Sequence, residues 1–137
     1  MTGARIQKCP GVAGFYLLVA DDDARMSVSI VAPGGKEYPQ EYWDVVTSSF
    51  SSLGSKAEWR VMKRGATYAP IGLIIRVNAS DQSDPDVPKK RSYLVISKIT
   101  ERDICVTDKI ESAVNANQQA RLAANSSASK TCLRSQP

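Results

Sequence analysis

Two groups of acidic residues are the most conspicuous candidates for chemistry. Asp21-Asp22-Asp23 is a run of carboxylates, and clustered carboxylates are the ligands that Ca²⁺ and Mg²⁺ prefer. A calcium loop, however, alternates its ligands around a central glycine and closes on a distal glutamate, and consecutive residues of an extended chain point to opposite sides. The triplet therefore reads as the polar turn of a hairpin. The second group, Asp81, Asp84 and Asp86, is stiffened by Pro85 and Pro88 and runs into Lys89, Lys90 and Arg91, the densest basic cluster of the chain. Long loops on rigid scaffolds are where recognition concentrates. Asp81, Asp84, Asp86, Lys89, Lys90 and Arg91 are accordingly the expected partner-binding residues.

Other chemistries are restricted by composition. The chain contains no histidine, so a Ser-His-Asp triad, a Cys-His dyad and a zinc site with imidazole ligands are all excluded. A pair of carboxylates could still run acid–base hydrolysis. Glu37, Glu41, Glu58, Glu101 and Glu111 are available for it, but none sits in a recognisable motif. Ser52-Leu53-Gly54-Ser55-Lys56 lacks the Ser-x-x-Lys spacing of a serine–lysine nucleophile, and Cys9 has no general base beside it. Neither a phosphate-binding G-x-x-x-x-G-K-[ST] loop nor a G-x-G-x-x-G turn is present. No catalytic residue, cofactor or metal is expected.

Cysteine usage bears on the compartment. Cys9, Cys105 and Cys132 are too far apart for a C-x-x-C metal or redox motif. A Cys105–Cys132 bridge would pin an irregular carboxy-terminal tail to a strand, contributing about 3.6 kcal/mol on the chain-entropy model. Such a bond persists in an oxidising compartment. Three reduced, buried thiols in the cytoplasm are the alternative. Cys9 would be left over, near the terminus and open to an intermolecular bond. Residues 1–10 carry Arg5 and Lys8 but no apolar run of a secretory leader. That fits a cytoplasmic protein and equally a mature exported domain.

The chain has 137 residues and a net charge of +4. This is one domain's worth of chain, expected as a single domain over 1–137 with irregular termini at 1–10 and 126–137. No apolar run approaches the length of about 20 residues that spans a bilayer. The charge excess is modest and dispersed, so a nucleic-acid partner is not favoured. The stretch from Trp59 to Tyr68, with Lys63 and Arg64, is only a faint version of an aromatic–basic binding face. Trp43, Phe50 and Trp59 are expected in the core. Asn78-Ala79-Ser80 and Asn125-Ser126-Ser127 match glycosylation sequons.

The elements that must position these residues follow from periodicity. Val12–Ala20 is an apolar run, and Met26, Val28 and Ile30 alternate with Ser27 and Ser29, which predicts a hairpin. Tyr42, Val46 and Phe50 recur at intervals of four within Pro39–Leu53, predicting the long helix, with Pro39 in its first turn and Gly54 as terminator. Strands are expected from residue 57 to 62, over Ile71–Asn78, Ser92–Ile99 and Ile104–Ile110. A second helix over 112–124 would be capped by Ser112. Its Ala113, Ala116, Ala120, Ala123 and Ala124 form a small-residue surface, beside Val114 and Leu122, for close docking. Short links favour antiparallel pairing. The expected fold is α+β: one twisted antiparallel sheet of about six strands in the order β-β-α-β-β-β-β-α, with one long helix on a face and a short carboxy-terminal helix. A small β-barrel with peripheral helices is the alternative.

The functional expectation is a non-enzymatic, exported binding domain in the periplasm or outside the cell, contacting a protein or other macromolecule. A small cation-dependent or carboxylate-based hydrolase using Asp21–Asp23 or Asp81–Asp86 is the second expectation. A weak nucleic-acid binder using Lys63, Arg64, Arg76 and Lys89–Arg91 is the third. Oligomeric state is left open.

Overall fold

The computed structural model describes residues 5–81, 86–87 and 89–134. The strands are β1 (Arg5–Pro10), β2 (Tyr16–Asp22), β3 (Arg25–Val31), β4 (Glu37–Pro39), β5 (Phe50–Arg64), β6 (Thr67–Asp81), β7 (Lys89–Ile99) and β8 (Ile104–Glu111). Helix α1 covers Tyr42–Val45 and α2 covers Ala116–Asn125, followed by a 3-10 turn at Ser127–Ser129. The expected α+β content and antiparallel pairing are present. The single sheet is not: the strands form two four-stranded antiparallel meanders, β1-β2-β3-β4 and β5-β6-β7-β8, and neither closes into a barrel.

The two sheets pack face to face. Leu17, Val28 and Ile30 from the first sheet and Leu73, Ile75, Val77, Val95 and Val106 from the second share one buried cluster. The alternation of β3 therefore does what it promised, turning Val28 and Ile30 inward. The β2–β3 hairpin is also as expected, with Asp23 and Ala24 both at positive φ (56° and 59°) in its two-residue turn. That backbone matches the right-handed twist of the flanking strands. β2 begins later than Val12, because Ala13 and Gly14 take positive φ in the preceding turn. Residues 5–10 are not irregular, since β1 pairs along its whole length with β2.

The long helix fails. Pro39–Leu53 keeps one helical turn, Tyr42–Val45, entered through Glu41 at φ 56°. Tyr42 and Val46 are buried as their spacing implied. The serine-rich remainder is a poor helix former and goes to β5 instead. Ser51 N–H donates to the Ala24 carbonyl at 2.8 Å, and Ser51 Oγ accepts from Met26 N–H at 3.1 Å, tying the start of β5 to the β2–β3 hairpin. Trp43 and Phe50 are consequently 36% and 40% exposed rather than in the core. Trp59 does pack on the core, next to Phe15 and against Gly11, where a Cβ would lie 2.6 Å from its ring.

Helix α2 lies on the outer face of the second sheet, making a third layer. Ala116, Ala120 and Ala124 are buried against Ile74, Leu94 and Ile96. Gly72 admits this approach: a Cβ there would come within 3.2 Å of the Ala124 methyl. The helix is also held by Arg121, which pairs with Glu58 at 2.9 and 3.1 Å. Ser112 is not its cap; Asn115 precedes the first turn, and Ser112 N–H instead donates to the Ser92 carbonyl. Val114 and Leu122 are exposed, so only the alanine stripe docks.

Candidate contact surface

Helix α2 covers only part of the outer face of the second sheet. Beyond it, strand register builds two cross-strand rows on that face. Ser52, Asn78 and Ser92 form one, and Phe50, Ser80 and Lys90 form the next. Together with Arg91, Ser112 and Ala24 they line a groove of about 680 Å³. Its floor consists of small polar side chains, because the alternation that turns Val77 and Ala79 inward turns Asn78 and Ser80 outward. Arg76, one row nearer α2, donates from Nη1 to Ser92 Oγ at 2.7 Å. The Arg25 guanidinium stacks over the Phe50 ring at 4.4 Å and donates to the Ser48 carbonyl, fixing the aromatic at the groove's edge. The described lining carries two cations and no carboxylate.

Of the residues expected to bind a partner, Lys90 and Arg91 line this groove. Arg91 also pairs with Glu111 at 3.3 Å. Lys89 opens β7 opposite Asp81 in the ladder. Asp86 is exposed in the connection between β6 and β7, and Asp84 lies outside the described residues. Phe50, Ser52, Asn78 and Ser92 were not foreseen as lining. The alternation of β6 signalled Asn78, whereas Phe50 and Ser52 were hidden by the helical reading of their segment.

The other candidates are dispersed or engaged. Asp23 sits in the tight turn and pairs with Arg25 at 3.2 Å, and Asp21–Asp23 join no wider cluster of metal-ligating residues among those described. The one such cluster is Asp103, Cys105 and Cys132, where both sulfurs belong to the disulfide. Glu58 receives hydrogen bonds from Arg121 and Arg60; the Arg121 hydrogen bond first, then the charges, hold its carboxyl below the usual glutamate range. That is the wrong direction for a general acid. Burial pushes the Tyr42 phenol well above its usual range, and its hydroxyl has no hydrogen-bond partner among the described residues. Lys63 and Arg64 lie at the far end of the second sheet from Lys89–Arg91, so the basic residues do not form one stripe.

At that far end the carboxy-terminal arm is clamped. The expected Cys105–Cys132 disulfide is present, with Cα atoms 5.7 Å apart. Leu133 N–H donates to the Val106 carbonyl at 2.8 Å, buried Lys98 donates to the Lys130 carbonyl, and Lys130 pairs with Asp108. Residues 127–129 form the 3-10 turn, and residues 130–134 have no regular secondary structure but are held against the sheet by these contacts. A second groove of about 650 Å³ lies here, but its lysines are engaged internally, Lys98 with Asp103 at 3.3 Å and Lys130 with Asp108 at 2.9 Å. Cys9 is not in the disulfide and packs partly buried against the core. Among the described residues no helix is long and apolar enough to cross a membrane. Comparison with family models, curated proteins and solved structures finds no match for the chain.

Proposed function

We propose that this chain is a non-enzymatic binding module of an oxidising compartment, the periplasm or the cell exterior, and that it engages a macromolecular partner at the groove beside α2. The observation that carries this reading is a coincidence of two surfaces. The basic flank of the 81–91 connection and the uncovered polar face of the sheet meet in one groove, at Lys90, Arg91, Asn78 and Ser92. A groove on a sheet is rigid, so it binds without first ordering a loop. The disulfide supports the compartment, because the cytosol keeps such thiols reduced.

The test is a photo-crosslinking residue placed at exposed Asn78 in the full chain, produced in its own cells, beside the same residue at exposed Gly34. A discrete adduct at 78, absent at 34 and lost with Lys90→Glu, is expected. Equal labelling at both positions, or none at 78, refutes the surface. Free thiols at Cys105 and Cys132 in chain recovered from its native compartment refute the oxidising location.

A further inference from the structure

We infer that the occupant of the groove is an acidic polysaccharide, a chain of sugar rings bearing carboxylates; this rests on the contact surface proposed above and names its ligand. Three properties of the lining converge on that chemistry. Lys90 supplies positive charge on this face and Arg76 adds a second cation one row nearer α2, with no carboxylate among the described lining residues, so an anionic chain is favoured electrostatically over a neutral one; Arg91, whose register turns it to the other face, is paired with Glu111 and adds none. Ser52, Asn78 and Ser92 lie in one row on adjacent strands. Strands run about 4.8 Å apart, an interval comparable with one pyranose ring, and each hydroxyl or amide both donates and accepts as a sugar hydroxyl does. Their small size lets a ring approach the sheet closely. Phe50, with Arg25 over one face, is 40% exposed and offers apolar surface on which a sugar ring can rest.

Competing occupants fit less well. A single-stranded nucleic acid is held by successive aromatics on which bases stack, and Phe50 is the lone aromatic among the described lining residues, with one face taken by a guanidinium. A lipid surface needs a protruding apolar contact, whereas this lining is concave and carries no large aliphatic side chain among the described residues.

The oxidised full chain is titrated calorimetrically with a short oligogalacturonate, a neutral malto-oligosaccharide and a single-stranded oligothymidylate. The oligogalacturonate is expected to bind at least about tenfold more tightly than the neutral sugar, with affinity that falls as salt rises. Lys90→Glu and Asn78→Ala are each expected to weaken binding by about tenfold or more while leaving the melting temperature near that of the parent. Lys36→Glu, the same charge change in the β3–β4 turn of the other sheet, is expected to alter it by less than about twofold. Equal affinity for the neutral sugar, tighter binding of the oligothymidylate, or full affinity in Lys90→Glu would each overturn the inference. If none of the polymers binds while position 78 still crosslinks, the ligand class is wrong and the contact surface stands. If both fail, both are wrong.

Discussion

Removing the disulfide probes how the carboxy-terminal arm is held. Cys105 and Cys132 are 27 residues apart, and the loop they close contains all of α2. Cross-linking a loop of that size removes about 12 cal/mol/K of entropy from the unfolded chain, or about 3.6 kcal/mol at 25 °C. Unfolding 137 residues carries an entropy of about 290 cal/mol/K, so the loss should lower the melting temperature by about 12 °C. Cys105→Ala/Cys132→Ala would be compared with the oxidised parent by thermal circular dichroism, and the parent again with reductant. Both perturbations should give the same fall. Trypsin should also cut after Lys130 faster in the bridge-free chain, because that lysine is otherwise engaged with Asp108. A fall of less than about 3 °C would refute the reasoning. It would mean that the Leu133–Val106 and Lys98–Lys130 backbone contacts hold the arm alone, or that the unfolded chain is already compact around this loop.

Three further substitutions have signs set by local geometry. Gly11→Ala would place a Cβ 2.5 Å from the Phe15 carbonyl oxygen and 2.6 Å from the Trp59 ring; a loss of about 1–3 kcal/mol is expected in urea unfolding. Ala24→Gly should stabilise by about 0.5 kcal/mol in the same assay, since Ala24 sits at φ 59° and glycine relieves more strain there than it adds in chain entropy. Glu58 titrates lower in the folded chain, chiefly through its Arg121 hydrogen bond. As pH falls below the ordinary glutamate value of about 4.3, the unfolded chain takes up the proton first, so the stability this carboxylate contributes is present above that pH and lost below it. Glu58→Gln should therefore flatten the acid side of a stability–pH curve while leaving α2 able to dock through its alanines.

What the sequence revealed, and what it concealed, divides along a physical line. Alternation in β3 and β6 reports which side chains share a face, so Val28, Ile30, Leu73, Ile75 and Val77 were legible as core. Alternation says nothing about which strands pair, and the partition into two sheets instead of one was invisible. The spacing over 39–53 resembles a helix because two of its three spaced apolar residues, Tyr42 and Val46, are indeed buried. The third, Phe50, was claimed by hydrogen bonds to a hairpin 25 residues earlier, through Ser51 to Met26. The helical reading also concealed half of the groove, since Phe50 and Ser52 cannot face Asn78 unless their segment is a strand. The disulfide was legible because cysteine spacing is a property of the sequence itself, and charge clustering likewise marked Lys90 and Arg91, which line the candidate groove. The docking of α2 was legible for a similar reason, its alanines recurring at 116, 120 and 124.

The clamp and the proposed groove stand at opposite ends of the second sheet, which would separate stability from binding. Lys90 lines the groove and Lys98 meets the arm on the same strand, about 26 Å apart at 3.3 Å per residue. Groups that far apart with no shared partner act independently. Opening the disulfide should therefore lower the melting temperature without changing affinity at 25 °C, so long as the chain stays folded. Lys90→Glu should do the reverse. Equal losses of affinity from both would mean that α2 transmits between the ends, since the helix lies on the strands that join them and the bridged loop contains it. In that case the arm would be part of the binding apparatus, and oxidation would gate the contact rather than merely preserve the fold.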